Sequence, residues 1–287
     1  MKPLGDAVVA IVGLGLMGGS LALALREKNA CKKIFGIAPN AATRAQVLSR
    51  GVVDEASSDL SLASEADIIV LATPVRTVLE QLLRVGEIAR AGAIVMDLGS
   101  TKREIVQAME GLPAHVQPIG AHPLCGKETS GFDAAEADLY RGAVFVLTPL
   151  ARTAPETLAC AESFATILGA HPIILDAARH DKIVAAISHL PFVLAATLMT
   201  TTTELARMDD LLFMLAASGF RDTSRLAASD TAMMLDILLT NSDNVADSIR
   251  TCTRHLTELA DWIVDKDENA LRAILESAAI PRRELFR

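Results

Sequence analysis

The sequence predicts an α/β fold, with a doubly wound parallel sheet over residues 1–175 followed by an all-α domain over residues 176–287. Three observations carry this reading. Short apolar runs alternate with helical patterns as far as Leu175, the spacing of a parallel sheet with crossover helices. The first run, Ala7 to Val12, is continuous rather than alternating, as a strand buried on both faces should be. Beyond Asp176 only helical periodicity remains.

Taken in order, Ala7 to Val12 gives way to Gly13-Leu14-Gly15-Leu16-Met17-Gly18 and a helical pattern through Leu21, Leu23, Ala24 and Leu25. Ile34 to Ala38 is the second strand, and Asn40 is placed to cap the helix carrying Val47 and Leu48. Ile68 to Ala72 is a strand stopped by Thr73-Pro74, before an amphipathic helix through Val78, Leu82 and Leu83. Ile94 to Met96 ends in Asp97-Leu98-Gly99-Ser100, and a helix from Lys102 to Met109 and a strand from Val116 to Ala121 follow. Val144 to Leu147, a helix from Pro155 to Leu168 and a strand from Pro172 to Leu175 complete the sheet. The helices expected afterwards are His180 to Thr202, Glu204 to Ala217, Asp230 to Thr240, and Asp243 to Ala278 with a break.

With 287 residues, 51% hydrophobic and only 3% aromatic, the chain has ample core material and suits an α-rich architecture. A net charge of −8 without a long basic run argues against nucleic acid as a partner. The four cysteines are scattered without metal-ligand spacing, as in a reduced cytoplasmic protein, and no metal site is expected. Lys2 and the apolar stretch from Ala7 to Leu25 imitate a signal peptide, down to Ala22-Leu23-Ala24 as a mock cleavage site. Gly13, Gly15, Gly18 and Gly19 interrupt that stretch at spacings better explained below. No segment offers 18 uninterrupted apolar residues, so no membrane span is expected.

Gly13-x-Gly15-x-x-Gly18 stands between a predicted strand and a predicted helix, the context in which this Rossmann-type fingerprint is informative. The first glycine permits a tight turn, the second lets the backbone approach a pyrophosphate, and the third lets helix and strand close together. The phosphates sit at the helix N-terminus. Gly13, Gly15, Leu16, Met17 and Gly18 are therefore cofactor-binding candidates, with Thr73 and Pro74 at the neighbouring strand end. About 20 residues beyond the loop a carboxylate should hold the ribose hydroxyls of NAD. Ile37-Ala38-Pro39-Asn40 supplies none, so a 2′-phosphate is not repelled, and Asn40, Thr43 or Arg44 offers it donors. The cofactor is NADP or NAD, with the balance toward NADP; Arg44 as part of a solvated helix face is the plainer reading.

The second informative stretch is Ala121-His122-Pro123-Leu124-Cys125-Gly126-Lys127-Glu128-Thr129-Ser130-Gly131. A histidine just past a strand end, before a proline and a flexible turn, can present its ring to a cleft. A neutral imidazole suits proton acceptance near neutral pH. The plainer alternative is a surface or capping histidine, and Ser100 could equally cap the helix from Lys102. His189, in the largely apolar Ile187 to Phe192 run, is by default a hydrogen-bonded core histidine.

In order and over nearly the whole chain, several motifs together resemble the prephenate and arogenate dehydrogenase family of tyrosine biosynthesis. They are the loop from Gly13 to Ser20, Asp97-Leu98-Gly99-Ser100-Thr101-Lys102, the stretch around His122, His180-Asp181, Ser188-His189-Leu190-Pro191 and Gly219-Phe220-Arg221-Asp222-Thr223-Ser224-Arg225. The resemblance implies an NAD(P)-dependent oxidative decarboxylation of a cyclohexadiene acid, in which a hydride and a hydroxyl proton leave, carbon dioxide departs and the ring becomes aromatic. It implies His122 as the base, Ser100 orienting that imidazole and touching the same hydroxyl, and Arg225 binding a substrate carboxylate. It gives His189 a substrate-contacting or site-shaping role, and makes Glu128 and Asp222 a gate of ion pairs around Arg225. Lys127 could add positive potential for a dianionic substrate. Arg221, the neighbouring arginine, reads more simply as part of a solvated or structural salt bridge. The resemblance also implies an all-α dimerisation domain and a homodimer, which the apolar surplus in Val184 to Met199 and Leu211 to Leu239 supports. Two departures stand out: Met234 occupies a tryptophan position and Ser218 a frequent glycine position. With the chain ending at Arg287, no C-terminal regulatory domain is expected.

Two other readings compete. A β-hydroxyacid or imine-type NAD(P) dehydrogenase would share the glycine loop and have Lys182 as its candidate, but would leave the His122 loop and Arg225 without a role. A non-catalytic NAD(P)-binding sensor would be free to lose Ser100, His122 and Arg225, and all three are present.

Overall fold

The structure, a computed structural model, describes residues 2–127 and 129–285. It comprises two compact units, Met1–Ser242 and Asp243–Arg287. The first is built on an eight-stranded sheet. Its elements are β1 (Val8–Val12), α1 (Leu16–Glu27), β2 (Lys33–Ile37), α2 (Ala41–Ser49), β3 (Glu55–Ser57), β4 (Ile68–Leu71), α3 (Val75–Ile88), β5 (Ile94–Asp97) and α4 (Arg103–Glu110), followed by β6 (Gln117–Pro123), β7 (Val144–Pro149), α5 (Pro155–Ile167) and β8 (His171–Ile174).

The strands are ordered β3-β2-β1-β4-β5-β6-β7-β8, so the order reverses between β1 and β4. Both faces of β1 are covered, as its uninterrupted apolar sequence requires. Val9 and Ile11 join one buried cluster with Leu21 and Leu25 of α1, while Ala10 and Val12 join the other with Val78 and Leu82 of α3. Each of the valines, leucines and isoleucines among them contributes about 1.5–3 kcal/mol by leaving water. The apolar stretch from Ala7 to Leu25 is thus the sheet's central strand, the glycine turn and α1. Asn40 caps α2 as expected, its side-chain oxygen accepting the amides of Ala42 and Thr43 at 2.8 and 3.2 Å.

Two features of the sheet were not anticipated. The sheet is parallel except at β6 and β7, which pair antiparallel, with His122 opposite Val146. β6 also outruns its other neighbour: its pairing with β5 ends at Met96 and Ile119. His122 therefore lies inside the strand rather than beyond it, on the part that overhangs β5. β3, missed in the sequence, is a three-residue edge strand too short to show a pattern.

The helical part of the first unit holds α6 (Ala177–Val184), a π-turn (Ala185–His189), α7 (Leu190–Ala206), α8 (Ser218–Ser224) and α9 (Thr231–Thr240). The π-turn has a local cause: Pro191 lacks the amide that would bond back into the helix, and the wider turn absorbs the defect. The helix expected from Glu204 to Ala217 does not form. The helix ends at Ala206 and turns follow; the Asp209 carboxylate accepts the Leu211 amide at 3.0 Å, a local alternative to helical bonding. Ala177–Ala206 is long and apolar enough to cross a membrane, although no uninterrupted apolar run produces it. Within it His180, Asp181 and His189 are buried and polar. The second unit consists of α10 (Ser242–Asp265), which begins at the last residue of the first, and α11 (Glu268–Leu285).

Candidate active site

The glycine loop has the geometry that a dinucleotide needs. Gly13 adopts φ +96°, and a Cβ there would stand 2.7 Å from the Ala72 carbonyl oxygen. A Cβ on Gly18 would come within 1.8 Å of the Gly13 carbonyl oxygen, so only glycine lets α1 start this close to β1. Gly15 has nothing within 4 Å of a built Cβ, and α1 begins there with no side-chain cap. An uncapped helix N-terminus beside open space, at the point where strand order reverses, is an anion site of the kind a pyrophosphate occupies.

A cavity of about 740 Å³ opens along the C-terminal strand ends. Gly15, Leu16 and Met17 line it after β1, Thr73 and Pro74 after β4, Gly99 and Ser100 after β5, and His122 to Lys127 from β6 onward. The helical part closes it with His189, Arg225 and Met234. Ser100, His122, His189, Arg225 and Lys127 are thus brought to one cavity with the middle of the glycine loop.

Behind the cavity wall lies a buried polar network. The Asp97 carboxylate ends β5 and accepts the amides of Gly99 and Ala121 at 2.7 and 3.0 Å; it also pairs with the fully buried Lys102 ammonium. Burial lowers the Lys102 pKa, and Asp97 opposes that shift. Asp181 of α6 reaches across to α4, taking the amides of Lys102 and Arg103 at 2.7 and 2.9 Å. It thereby caps a helix that has no cap of its own, a role that sequence had left open for Ser100. The same carboxylate accepts His180 Nδ1 at 2.8 Å, and His180 Nε2 meets His122 Nδ1 at 2.8 Å. Burial alone would raise the Asp181 pKa; hydrogen bonds from His180 and the two amides reverse this and hold it below the ordinary carboxylate value.

The histidines facing the cavity are neutral. Desolvation, then repulsion from His180, Lys102 and His189, pushes the His122 pKa well below its ordinary value. Burial brings His189 down to about 4, against the pull of Asp181. The Asn241 amide lies 3.3 Å from His189 Nδ1 and donates at 2.7 Å to the Asp181 carbonyl. Cys125 lines the cavity as a protonated thiol, its pKa raised to about 11 by burial.

Asp222, Asn40 and Arg44 do not line this cavity. Asp222 is exposed, pairs with Arg221 at 3.2 Å and does not line the cavity. As its neighbour in sequence and charge, Arg221 satisfies it locally. Glu128 lies outside the described residues. Lys127 reaches the cavity, but its ammonium pairs with Glu136 at 2.5 Å. His122 is held by His180, where the sequence reading had given that task to Ser100. Asn40 spends its oxygen on the α2 cap, while Arg44 lies over the end of β2, donating at 2.7 Å to the carbonyls of Ala38 and Pro39. Asp97, Lys102 and Asn241 carried no role in the sequence reading. An acid ending an otherwise apolar strand was the available signal for Asp97.

A glycine loop that fits a dinucleotide, opening onto a cavity with a neutral imidazole and an arginine, defines a Rossmann-type oxidoreductase. Residues 21–174 match the family model described as prephenate dehydrogenase, nucleotide-binding domain, and residues 176–277 that described as prephenate dehydrogenase, dimerization domain. The chain belongs to the prephenate dehydrogenase family. It is 33% identical to prephenate dehydrogenase of Bacillus subtilis over 95% of this chain and 74% of that one. The crystal structure of Aquifex aeolicus prephenate dehydrogenase, in complex with hydroxyphenyl propionate and NAD+, superposes with a TM-score of 0.93 at 31% identity, covering 99% of this chain and 100% of that one. Synechocystis arogenate dehydrogenase gives 0.82 at 34% identity over 97% and 99%.

The depressed His189 pKa makes stability depend on pH. Its contribution is full above about pH 6.5, where the unfolded side chain is neutral too, and is lost as pH falls toward the folded value of about 4. The loss should reach about 3 kcal/mol, and His122, shifted the same way, adds to it. Urea midpoints between pH 7.5 and 4 should fall accordingly, and less steeply for His189→Asn.

Proposed function

We propose that this chain oxidises and decarboxylates prephenate, arogenate or both, with NADP or NAD as hydride acceptor. The observation that carries the reading is His122: one ring nitrogen is held from behind by His180, and the ring borders the cavity beside the nucleotide loop. That leaves Nε2 to take the proton of the substrate hydroxyl. A bound nicotinamide supplies the acceptor for the hydride leaving the same ring carbon. Loss of carbon dioxide then completes an aromatic ring. Ser100 offers a hydroxyl at the end of β5 to the same substrate oxygen. Arg225 supplies a planar fork for a substrate carboxylate, and neutral His189 a ring donor or acceptor. Lys127 adds positive potential at the rim, and Glu128 follows it in sequence. The β-hydroxyacid and sensor readings would leave this set of residues without a task.

Residues 1–175 are read as the dinucleotide-binding domain and 176–287 as the substrate and dimerisation domain, a division supported by the two family models. The dinucleotide is read as NADP: β2 ends without a carboxylate, and the Arg44 guanidinium lies over that end. The family's dimerisation domain and the exposed Ile187, Leu205, Met208 and Leu215 support a homodimer. A cytoplasmic location fits a biosynthetic enzyme with four free thiols.

His122→Asn should lower kcat by about 10²–10⁴-fold, while Arg225→Gln should raise substrate KM by at least about 30-fold. Retained turnover in the first variant would remove the base assignment. Arg44→Ala should weaken NADP about tenfold or more and leave NAD unchanged, read as separate KM values. Light scattering should give twice the 30.4 kDa chain mass.

A further inference from the structure

The pair His180-Asp181 is buried, does not line the cavity, and touches the candidate base directly. Asp181 is 0% exposed and His180 1% exposed, so neither ring nor carboxylate exchanges partners with solvent. The directions of their hydrogen bonds follow by elimination. Each Asp181 oxygen accepts a backbone amide, Lys102 on Oδ1 and Arg103 on Oδ2. With these amides and His180 holding its pKa below the ordinary carboxylate value, the group is a carboxylate and accepts only. His180 Nδ1, 2.8 Å from Oδ1, must carry a proton. Where that is the single proton on the His180 ring, the opposite nitrogen, Nε2, is a lone pair. It lies 2.8 Å from His122 Nδ1, which then donates to it. In that arrangement the proton of neutral His122 is on Nδ1, and Nε2 is bare.

We propose that His180 and Asp181 form a positioning relay that fixes the His122 proton on Nδ1 and so keeps Nε2 available as the base. Free imidazole does not hold this tautomer by itself; the fold imposes it through two hydrogen bonds in series. The relay has a second effect. When Nε2 receives a proton, the resulting cation is hydrogen-bonded to His180, which is polarised in turn by the Asp181 carboxylate. The two groups are oriented by the rest of the buried network. Asn241 holds the Asp181 backbone carbonyl, Arg103 approaches the carboxylate at 3.5 Å, and Lys102 is engaged by Asp97. This inference rests on the reading of His122 as the base, and its geometrical half can be tested apart from turnover.

The test combines ring 15N NMR with kinetics on the full-length protein and its His180→Leu and His180→Gln variants, the His122 signals being assigned by their loss in His122→Asn. In the wild type without substrate, His122 should show a protonated Nδ1 and an unprotonated Nε2. His180→Leu removes the acceptor; the His122 proton should move to Nε2, and kcat should fall about 10²-fold with KM values within about twofold. His180→Gln places a carbonyl oxygen near the former Nε2 position and should restore the Nδ1 tautomer and most of kcat. A wild-type His122 protonated at Nε2, or a His180→Leu enzyme with kcat within about threefold of wild type, would overturn the relay. Should His180→Leu not fold, the wild-type tautomer and His180→Gln decide the matter. If the wild type turns over neither substrate, the functional reading fails while the ring signals still decide the relay.

Discussion

One carboxylate, that of Asp181, joins the two halves of the mechanism. It caps α4 of the sheet domain from α6 of the helical part, and it holds the ring that holds His122. A buried ion of this kind is tolerable only with its oxygens filled, and here amides and an imidazole fill them. Removing it would strip a helix of its cap, at about 1 kcal/mol, and leave His180 without orientation. The cavity lies between the sheet and the helices that this carboxylate ties together. Packing and chemistry therefore share a single atom group.

The Asp97–Lys102 pair does comparable work one strand away. Asp97 closes β5, fixes the turn to Gly99, and bonds the Ala121 amide next to His122. The end of β5 and the overhanging part of β6 are thus set relative to each other by one side chain. This positions Ser100 and His122 on a common wall of the cavity. Breaking a buried pair by removing one partner costs about 3–5 kcal/mol, so the wall is stiff.

Much of this was legible in the sequence because it rests on periodicity and glycine chemistry. Val8 to Val12, the loop from Gly13 to Gly18 and the Asn40 cap are local statements, and the structure repeats them. The likeness of ordered motifs identified the family, and Ser100, His122, His189 and Arg225 do line one cavity. What was not legible depends on contacts between distant residues. The partnership of Asp181 with Lys102, and of His180 with His122, spans 79 and 58 positions. The antiparallel β7, which carries His122 past the end of β5, left no local mark either. Asp222 is the opposite case: its motif is local, and its side chain pairs with the adjacent Arg221 away from the cavity lining.

Dinucleotide-dependent oxidation with loss of carbon dioxide in this cavity is open to one decisive measurement: initial rates of NADP and NAD reduction with prephenate and with arogenate, alongside carbon dioxide release. Reduced dinucleotide and carbon dioxide should form in equal amounts for at least one of the pairings, with the NADP rate above the NAD rate. Absence of reduction in every pairing, or reduction without carbon dioxide, would contradict it.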